Sequence, residues 1–448
     1  MTLNLYSWCF IIFFVLHHGL EIALALLQLS HLKRRKKKVP KHLKGKVSAE
    51  TIGKAVRYNQ EKLRFGLMIR LLEMIPLWIM LTGGFALFDT WCKSIGAGPV
   101  ITGLLFIGGL SLAGSILSLP GNLYFTFVIE QRHGFNKQGV VDYFKDQLKG
   151  ALIGALLGGI LLSLLLLIME SSDYWWILAY GVVLVFQLLM MWIYPLVIMP
   201  LFNKFEPVEG ELAEHVAHLA QQVGFPLKGV VSMDGSRRSG HSNAFIIGFR
   251  GARRIVLFDT LIEKITTSQL VAVLAHELGH YRLGHIRKRL AVTMVLGLGV
   301  FYLLYWMSLQ PGLYTGLGFD HRSSYAALVV FSLLFSEMTF PFGFVSRVFS
   351  RRDEYAADRF AVNAVKNGFD LKEALIALTK QNLSSPGSHR WYRGYYNSHP
   401  SLRERLKAID AEARKGNFPA KPAEEATPSD SAEVHGSVSD ERHDTVDQ

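Results

Sequence analysis

Seven apolar segments of near-bilayer length run through this 448-residue chain, and they limit its fold more than any other feature. The segments are Trp8–Leu29, Leu67–Phe88, Val100–Leu119, Leu152–Met169, Tyr174–Met199, Leu290–Leu309 and Tyr325–Phe344. A helix needs about 20 apolar residues to cross a bilayer, and it pairs its backbone polar groups internally. One such segment is compatible with a buried helix of a globular protein, but seven together are not. The chain is therefore predicted to be a predominantly α-helical, multi-pass membrane protein.

The composition agrees with a membrane protein and argues against an ordinary soluble enzyme. Hydrophobic residues make up 50% of the chain and charged residues 19%, and the mean hydropathy is +0.24. The formal net charge is +12, although Glu424 to Gln448 contain eight acidic residues and one basic residue. A basic surface on such a protein predicts contact with anionic lipid headgroups. Nucleic acid is not predicted as a partner, because no recognition motif accompanies the charge.

The basic residues also predict an orientation in the membrane. Lys33-Arg-Arg-Lys-Lys-Lys38 directly follows the first apolar segment, and such clusters stay on the cytoplasmic side. The amino terminus is therefore expected outside, whereas residues 201–288 and everything after Phe344 are expected in the cytoplasm. A bacterial inner membrane is favoured, with the endoplasmic reticulum membrane as the alternative. In both cases the active site would face the cytoplasm.

An H-E-x-x-H sequence, His276-Glu-Leu-Gly-His280, predicts the chemistry of the protein. Residues four apart lie on one face of a helix, so His276 and His280 can bind one metal ion while Glu277 acts as the general base. The chain has 16 histidines, and a chance match is the alternative. The surrounding residues form a good helix, which Thr266, Thr267 or Ser268 can cap. The pattern thus favours a zinc hydrolase with one zinc ion per chain.

The third metal ligand is predicted further along the chain. An unbroken helix would turn His285 roughly 140° away from His280, so His285 is not favoured as a ligand. Glu354 and Asp358 again lie four residues apart. Glu354 is predicted to bind the metal, and Asp358 to hydrogen-bond a ligand histidine and support catalysis. The alternative is a solvated acidic face beside the neighbouring arginines.

Residues 201–288 are predicted to begin a small α+β domain of the zinc-peptidase type. A helix is expected over Glu211–Val223, and strands are expected over Val230–Met233, Asn243–Phe249 and Arg254–Phe258. Peptidases of this kind bind an extended peptide along a sheet edge. We therefore predict transmembrane helices 1–5 in residues 1–200, a peptidase domain with two inserted helices in 201–412, and a disordered acidic tail in 413–448.

The chain contains two cysteines, which exclude a disulfide scaffold and a thiolate zinc site. Cys9 and Cys92 are both expected near the outer face. Two unrelated free thiols are favoured. A disulfide in an oxidising compartment is the alternative.

An ordered set of short sequences resembles the type I CAAX prenyl endopeptidases, which are integral-membrane zinc metallopeptidases. The matching pieces are Leu119-Pro120 through Phe127-Val-Ile-Glu130, Gly134-Phe-Asn-Lys137, Pro200-Leu-Phe-Asn-Lys-Phe205, Asn243-Ala-Phe245, His276-Glu-Leu-Gly-His280, Glu354-Tyr-Ala-Ala-Asp358 and Ser398-His-Pro400. The resemblance extends from the first apolar segment to about Ile409.

This resemblance implies seven helices around a large water-filled chamber, with zinc at its cytoplasmic end. It implies His276, His280 and Glu354 as ligands, Glu277 as base and Asp358 in support. It also places His399 near the reacting carbonyl, and Asn243 on a sheet edge where it could bind the substrate peptide. The implied substrates are peptides or lipidated proteins, either prenylated C-terminal peptides or targets of membrane-protein quality control.

Two other functions remain open from the sequence. An intramembrane-cleaving zinc protease also uses H-E-x-x-H, but usually inside a transmembrane helix, whereas Arg282, Arg287 and Lys288 place this motif at the membrane surface. The other alternative is a transporter or receptor with a structural metal. Such a site would normally have four protein ligands, and this sequence offers three ligands and a base.

Overall fold

The computed structural model describes residues 1–35, 38–248 and 253–419. Part of the basic cluster at 33–38, the end of the predicted strand at Phe249 and the acidic residues from Glu424 onward lie outside these ranges. Both cysteines are free, as favoured by the sequence.

Long apolar helices dominate the first half of the chain and return after the H-E-x-x-H sequence. They are α1 (Leu5–Arg35), α2 (Ala49–Ile79), α3 (Phe85–Ser94), α4 (Pro99–Tyr124), α5 (Val140–Met169), α6 (Trp175–Ile193), α7 (Met199–Phe202), α11 (His285–Ser308), α13 (Ser324–Met338) and α14 (Phe340–Val365), with a short α12 (Pro311–Gly316). Short π-helical stretches at Met80–Gly84, Phe125–Glu130 and Tyr194–Ile198 join several of them. Within the described residues, six helices are long and apolar enough to cross a membrane, and α13 with α14 makes seven. The predicted multi-pass, mainly helical fold is thus confirmed.

The last predicted span is not straight. The sequence predicts one segment over Tyr325–Phe344, but α13 and α14 meet at a 58° bend around Thr339. Pro341 lies in the first turn of α14, where a missing N–H is tolerated but continuation of the preceding helix is not. Because of this bend, α14 carries Glu354 and Asp358 out of line with α13 and against the H-E-x-x-H helix.

The remaining elements form the small α+β unit. They are β1 (Phe205–Pro207), α8 (Glu211–Gln222), β2 (Leu227–Met233), β3 (Ala244–Ile247), β4 (Arg253–Phe258), α9 (Asp259–Ile262), α10 (Thr267–Arg282), α15 (Phe369–Gln381), α16 (Arg390–Tyr396) and α17 (Leu402–Lys415). The strand order is β1-β2-β4-β3, with β2 parallel to β4 and the outer pairs antiparallel. The strand β1 was not anticipated from the sequence. Helix α17 continues into the predicted tail, where Ala413 is buried.

Helix α10 occupies the centre of this unit. Leu270, Leu274 and Leu278, spaced four residues apart, are fully buried on one of its faces. They pack in one cluster with Ile255 and Leu257 of β4. On its other sides α10 contacts α8, α14 and α15. The motif residues on α10 are therefore held in a rigid core, as a catalytic site requires.

Candidate active site

The start of α10 is fixed by a capping box. The Thr266 side chain accepts a hydrogen bond from the backbone N–H of Gln269, and the Gln269 side chain accepts one from the Thr266 backbone. Two backbone donors that a helix start would otherwise leave unpaired are thereby satisfied. Because the start is fixed, the helical phase of His276 and His280, ten and fourteen residues later, is fixed as well.

Three buried or half-buried groups from α10 and α14 converge on one point. The Nε2 atoms of His276 and His280 are 3.2 Å apart. The Glu354 carboxylate lies 3.5 Å from the first of them through Oε2 and 3.4 Å from the second through Oε1. The ligand atoms of all three residues lie within 4.8 Å of one another.

These separations fit a metal ion. Ligand atoms about 2.1 Å from a tetrahedral zinc ion would be about 3.4 Å apart. In addition, Glu354 Oε2 is buried without a hydrogen-bond partner among the described residues, although His399 Nδ1 lies 2.7 Å away. A buried carboxylate charge is costly, and a bound cation would compensate it. Two imidazole nitrogens and one carboxylate form the donor set of catalytic zinc sites that keep a fourth position open.

The other nitrogen of His276 is held by Asp358. Nδ1 lies 2.9 Å from Asp358 Oδ1. Arg405 of α17 donates to the same carboxylate from both Nε (2.9 Å) and Nη2 (2.6 Å). A carboxylate on Nδ1 keeps the proton there and leaves Nε2 free to bind a metal. Asp358 therefore lies where the sequence predicted, whereas Arg405 was missed because no helical spacing connects it with Asp358.

The same carboxylates set the protonation of His276. Burial alone lowers the pKa of His276, but hydrogen bonds to Asp358 and Glu354 outweigh it and raise the pKa to about 9. The raised pKa favours the protonated form of the ring. Because a metal ligand must be deprotonated, metal binding here would release a proton.

His280 is supported by His285, which the sequence predicted to point away from it. The unbroken helix assumed for His285 is wrong: α10 ends at Arg282, and Gly284 has a φ of 70° before α11 begins. This left-handed residue turns the buried His285 back, so that its Nδ1 lies 2.9 Å from His280 Nδ1. Its Nε2 lies 3.5 Å from Asp353. Gly284, just after the last turn of α10, is the sequence feature that could have predicted the end of this helix.

The other predicted residues line one large cavity beside the three donors. This cavity has a volume of about 1640 Å³, and its walls include Asn243, Glu277, His399 and Arg405. Asn243 is exposed and directly precedes β3, which is the edge strand of the sheet. The His399 side chain is 61% exposed. A peptide in this cavity can therefore reach the base, the histidine and the strand edge at once.

A second cavity connects this region with the membrane helices. Its volume is about 580 Å³, and it is lined by Glu21 of α1, Arg70 of α2 and Tyr396 of α16. Asn382 and Asn397 line both cavities, so the two adjoin each other. The resemblance implies one chamber enclosed by seven helices, whereas the described residues form two adjoining cavities, one in the peptidase unit and one beside α1 and α2.

Comparison with known proteins agrees with this arrangement. Residues 28–204 match the family model for the CAAX prenyl protease N-terminal region with five membrane helices. Residues 207–413 match peptidase family M48. The CAAX prenyl protease 1 homolog of Arabidopsis thaliana is 35% identical over 90% of this chain and 97% of its own length.

The chain belongs to the CAAX prenyl protease 1 family. Other relatives in that family include CAAX prenyl protease 1 of Saccharomyces cerevisiae, 32% identical over 84% of this chain and 90% of its own length. The crystal structure of S. mikatae Ste24p has a TM-score of 0.83 and 30% identity, covering 92% of this chain and 100% of that chain. Membership in this family makes the chain a membrane-embedded metallopeptidase, and it decides against a transporter or receptor.

Proposed function

We propose that this chain is a zinc endopeptidase that cleaves near the C-terminus of prenylated, CAAX-type peptides or proteins. The observation that carries the proposal is the convergence of His276, His280 and Glu354 at separations of 3.2–3.5 Å, beside a large cavity whose lining includes Glu277. The curated relatives are named as CAAX prenyl proteases, which supports this substrate class.

The residues around the three donors have separate roles in peptide hydrolysis. When bound, zinc would supply Lewis-acid chemistry at the scissile carbonyl. Glu277 accepts a proton from the attacking water and passes it to the leaving amine. His399 donates a hydrogen bond to the oxygen of the substrate carbonyl as negative charge develops there. Asp358 and Arg405 keep the His276 ring in one orientation, and His285 with Asp353 does the same for His280.

Substrate recognition is proposed to use the free edge of the sheet. Among the described residues β3 pairs with β4 alone, so its outer backbone groups can bond an extended peptide. Asn243 precedes this strand, lines the large cavity and offers a side-chain amide to the same peptide. The smaller cavity leads from this region towards α1 and α2 and is lined by polar and charged side chains together with Leu63 and Leu67.

The active site is proposed to face the cytoplasm. The basic residues in the last turn of α1 support this orientation through the positive-inside rule, and they offer a contact surface for anionic lipids. The same topology applies in a bacterial inner membrane and in the endoplasmic reticulum membrane.

Two peptides of identical CAAX-type sequence, one S-farnesylated and one unmodified, test the substrate class. We expect the purified full-length protein to cleave the farnesylated peptide with a KM about tenfold lower or more, because the lipid is removed from water. Protein with Glu277→Gln is the control for a contaminating protease. Equal kcat/KM values for the two peptides would contradict recognition of the lipid.

The supporting role of Asp358 makes a further prediction. Asp358→Asn should lower zinc affinity or activity about 10–100-fold, because a neutral amide holds the His276 ring less firmly. The protein should still bind zinc at saturating concentration. Chelator competition followed by an activity assay measures both properties. The matched control is Glu263→Gln at an exposed position. If Asp358→Asn had the zinc affinity and the rate of the wild type, Asp358 would not support the His276 ring.

A further inference from the structure

A second group of histidine and carboxylate side chains lies among the apolar helices, on elements that contribute no ligand to the active site. His17, His18 and Glu21 lie on α1, Arg70 lies on α2 and Glu337 lies on α13. Ionisable side chains are expensive within a bilayer and usually mark a functional site. Glu21 and Glu337 are buried, and both histidines are mostly enclosed.

The two histidines and Glu337 meet around one point. His17 Nδ1 lies 2.8 Å from Glu337 Oε2, and His18 Nε2 lies 3.7 Å from Glu337 Oε1. The ligand atoms of the three residues are all within 4.8 Å of one another, as in the active site. Adjacent residues on a helix point about 100° apart, so this convergence depends on Glu337 of α13 reaching between them.

The surroundings hold His17 in the orientation that a ligand needs. Its Nε2 lies 3.4 Å from Glu21 Oε2, so a carboxylate can keep the proton on that nitrogen and leave Nδ1 free. Glu21 is itself bound by Arg70 and accepts a hydrogen bond from the Tyr396 hydroxyl at 3.1 Å. The ring of Phe340 stacks on His17 with centroids 5.1 Å apart.

His18 is positioned by a ring contact and lies close to one cation. Its ring packs against Phe14 at a centroid distance of 4.3 Å. Arg70 Nη1 lies 3.5 Å from His18 Nδ1, at the outer limit of a hydrogen bond. The Arg70 guanidinium is paired with Glu21, so its charge does not oppose a cation at Nε2 as strongly as a free charge would.

We propose that His17, His18 and Glu337 bind a divalent transition-metal ion, such as zinc, within the membrane. With neutral imidazoles, the two carboxylates exceed the one guanidinium by one negative charge, which attracts a cation in a low-dielectric setting, and a divalent ion would change the net charge of the group from −1 to +1. Two imidazoles and a carboxylate are the ligand types that suit zinc. The ion would connect α1 with α13, the helix that directly precedes α14 and its active-site ligand. The zinc content would thus be two ions per chain, one more than the sequence predicted.

Metal analysis of the full-length protein tests this site. Glu354→Ala removes a ligand of the active site and leaves the membrane cluster intact. After equilibration with zinc and removal of free ions, we expect two zinc ions per chain in the wild type and one in Glu354→Ala. Adding His17→Ala to Glu354→Ala should reduce the content to none, whereas adding His215→Ala, an exposed histidine, should leave it at one.

Cobalt(II) provides a second measurement with a conservative variant. Glu337→Gln keeps the size of the side chain, and it should remove one set of cobalt absorption bands while leaving the set from the active site. A Glu354→Ala protein that binds no metal would overturn the proposal, since its cluster is unaltered. An unchanged metal content in Glu337→Gln would overturn it too. Either result is expected if a proton on His17, between Glu337 and Glu21, balances the charge instead.

Discussion

Replacing Glu277 by glutamine is expected to lower peptide turnover by about 10²–10⁴-fold while leaving the zinc content unchanged. Glutamine has nearly the same shape as glutamate but cannot accept a proton from the attacking water. Glu277 is next to His276 in sequence and lines the large cavity, but it is not among the three converging donors. The Glu277→Gln substitution should therefore lower catalysis without lowering metal binding.

Steady-state kinetics and metal analysis on the same preparation check this expectation. Glu263→Gln, an identical change at an exposed position of the same domain, serves as the control for general effects of the substitution. If Glu277→Gln retained more than about a tenth of the wild-type kcat, general-base catalysis by this residue would be ruled out. If it lost zinc, Glu277 would have to be counted among the groups that hold the ion.

Glu354→Ala is expected to lose the zinc ion of the active site together with all measurable peptidase activity. The Glu354 carboxylate lies 3.4–3.5 Å from both Nε2 atoms and closes the triangle of donors. Alanine leaves two imidazoles, which are too few to hold a catalytic zinc ion firmly. The substitution also removes a buried carboxylate oxygen that lies 2.7 Å from His399 Nδ1.

Zinc titration against a competing chelator measures this loss directly. Glu214→Ala, an exposed glutamate on α8, is the matched control and should bind zinc as the wild type does. Retention of the wild-type zinc content and affinity by Glu354→Ala would show that another residue supplies the third ligand. His285 would then be the first candidate, because its ring already lies 2.9 Å from His280.

The sequence predicted those features that depend on neighbours along the chain. Apolar length identified the membrane helices, and the four-residue spacing within each helix placed His276 with His280 and Glu354 with Asp358. The helix at Glu211–Gln222 and the strands β2 and β4 also followed from local patterns. In each case the prediction depends on residues within a single helix or strand.

Features that depend on contacts between distant elements were not predictable in this way. Arg405 reaches Asp358 only because α17 packs on α14, and Glu337 meets His17 only because α13 packs on α1. The position of His285 depended on a single left-handed glycine, Gly284, which ends the regular helix. No periodic pattern in the sequence predicts these contacts.

Anomalous X-ray scattering at the zinc edge, from crystals of zinc-loaded Glu277→Gln protein, tests the central claim most directly. We expect a peak about 2.0–2.2 Å from His276 Nε2, His280 Nε2 and a Glu354 oxygen. A peak bonded instead to His285 and Asp353, or no peak between α10 and α14, would contradict the proposed zinc peptidase centre.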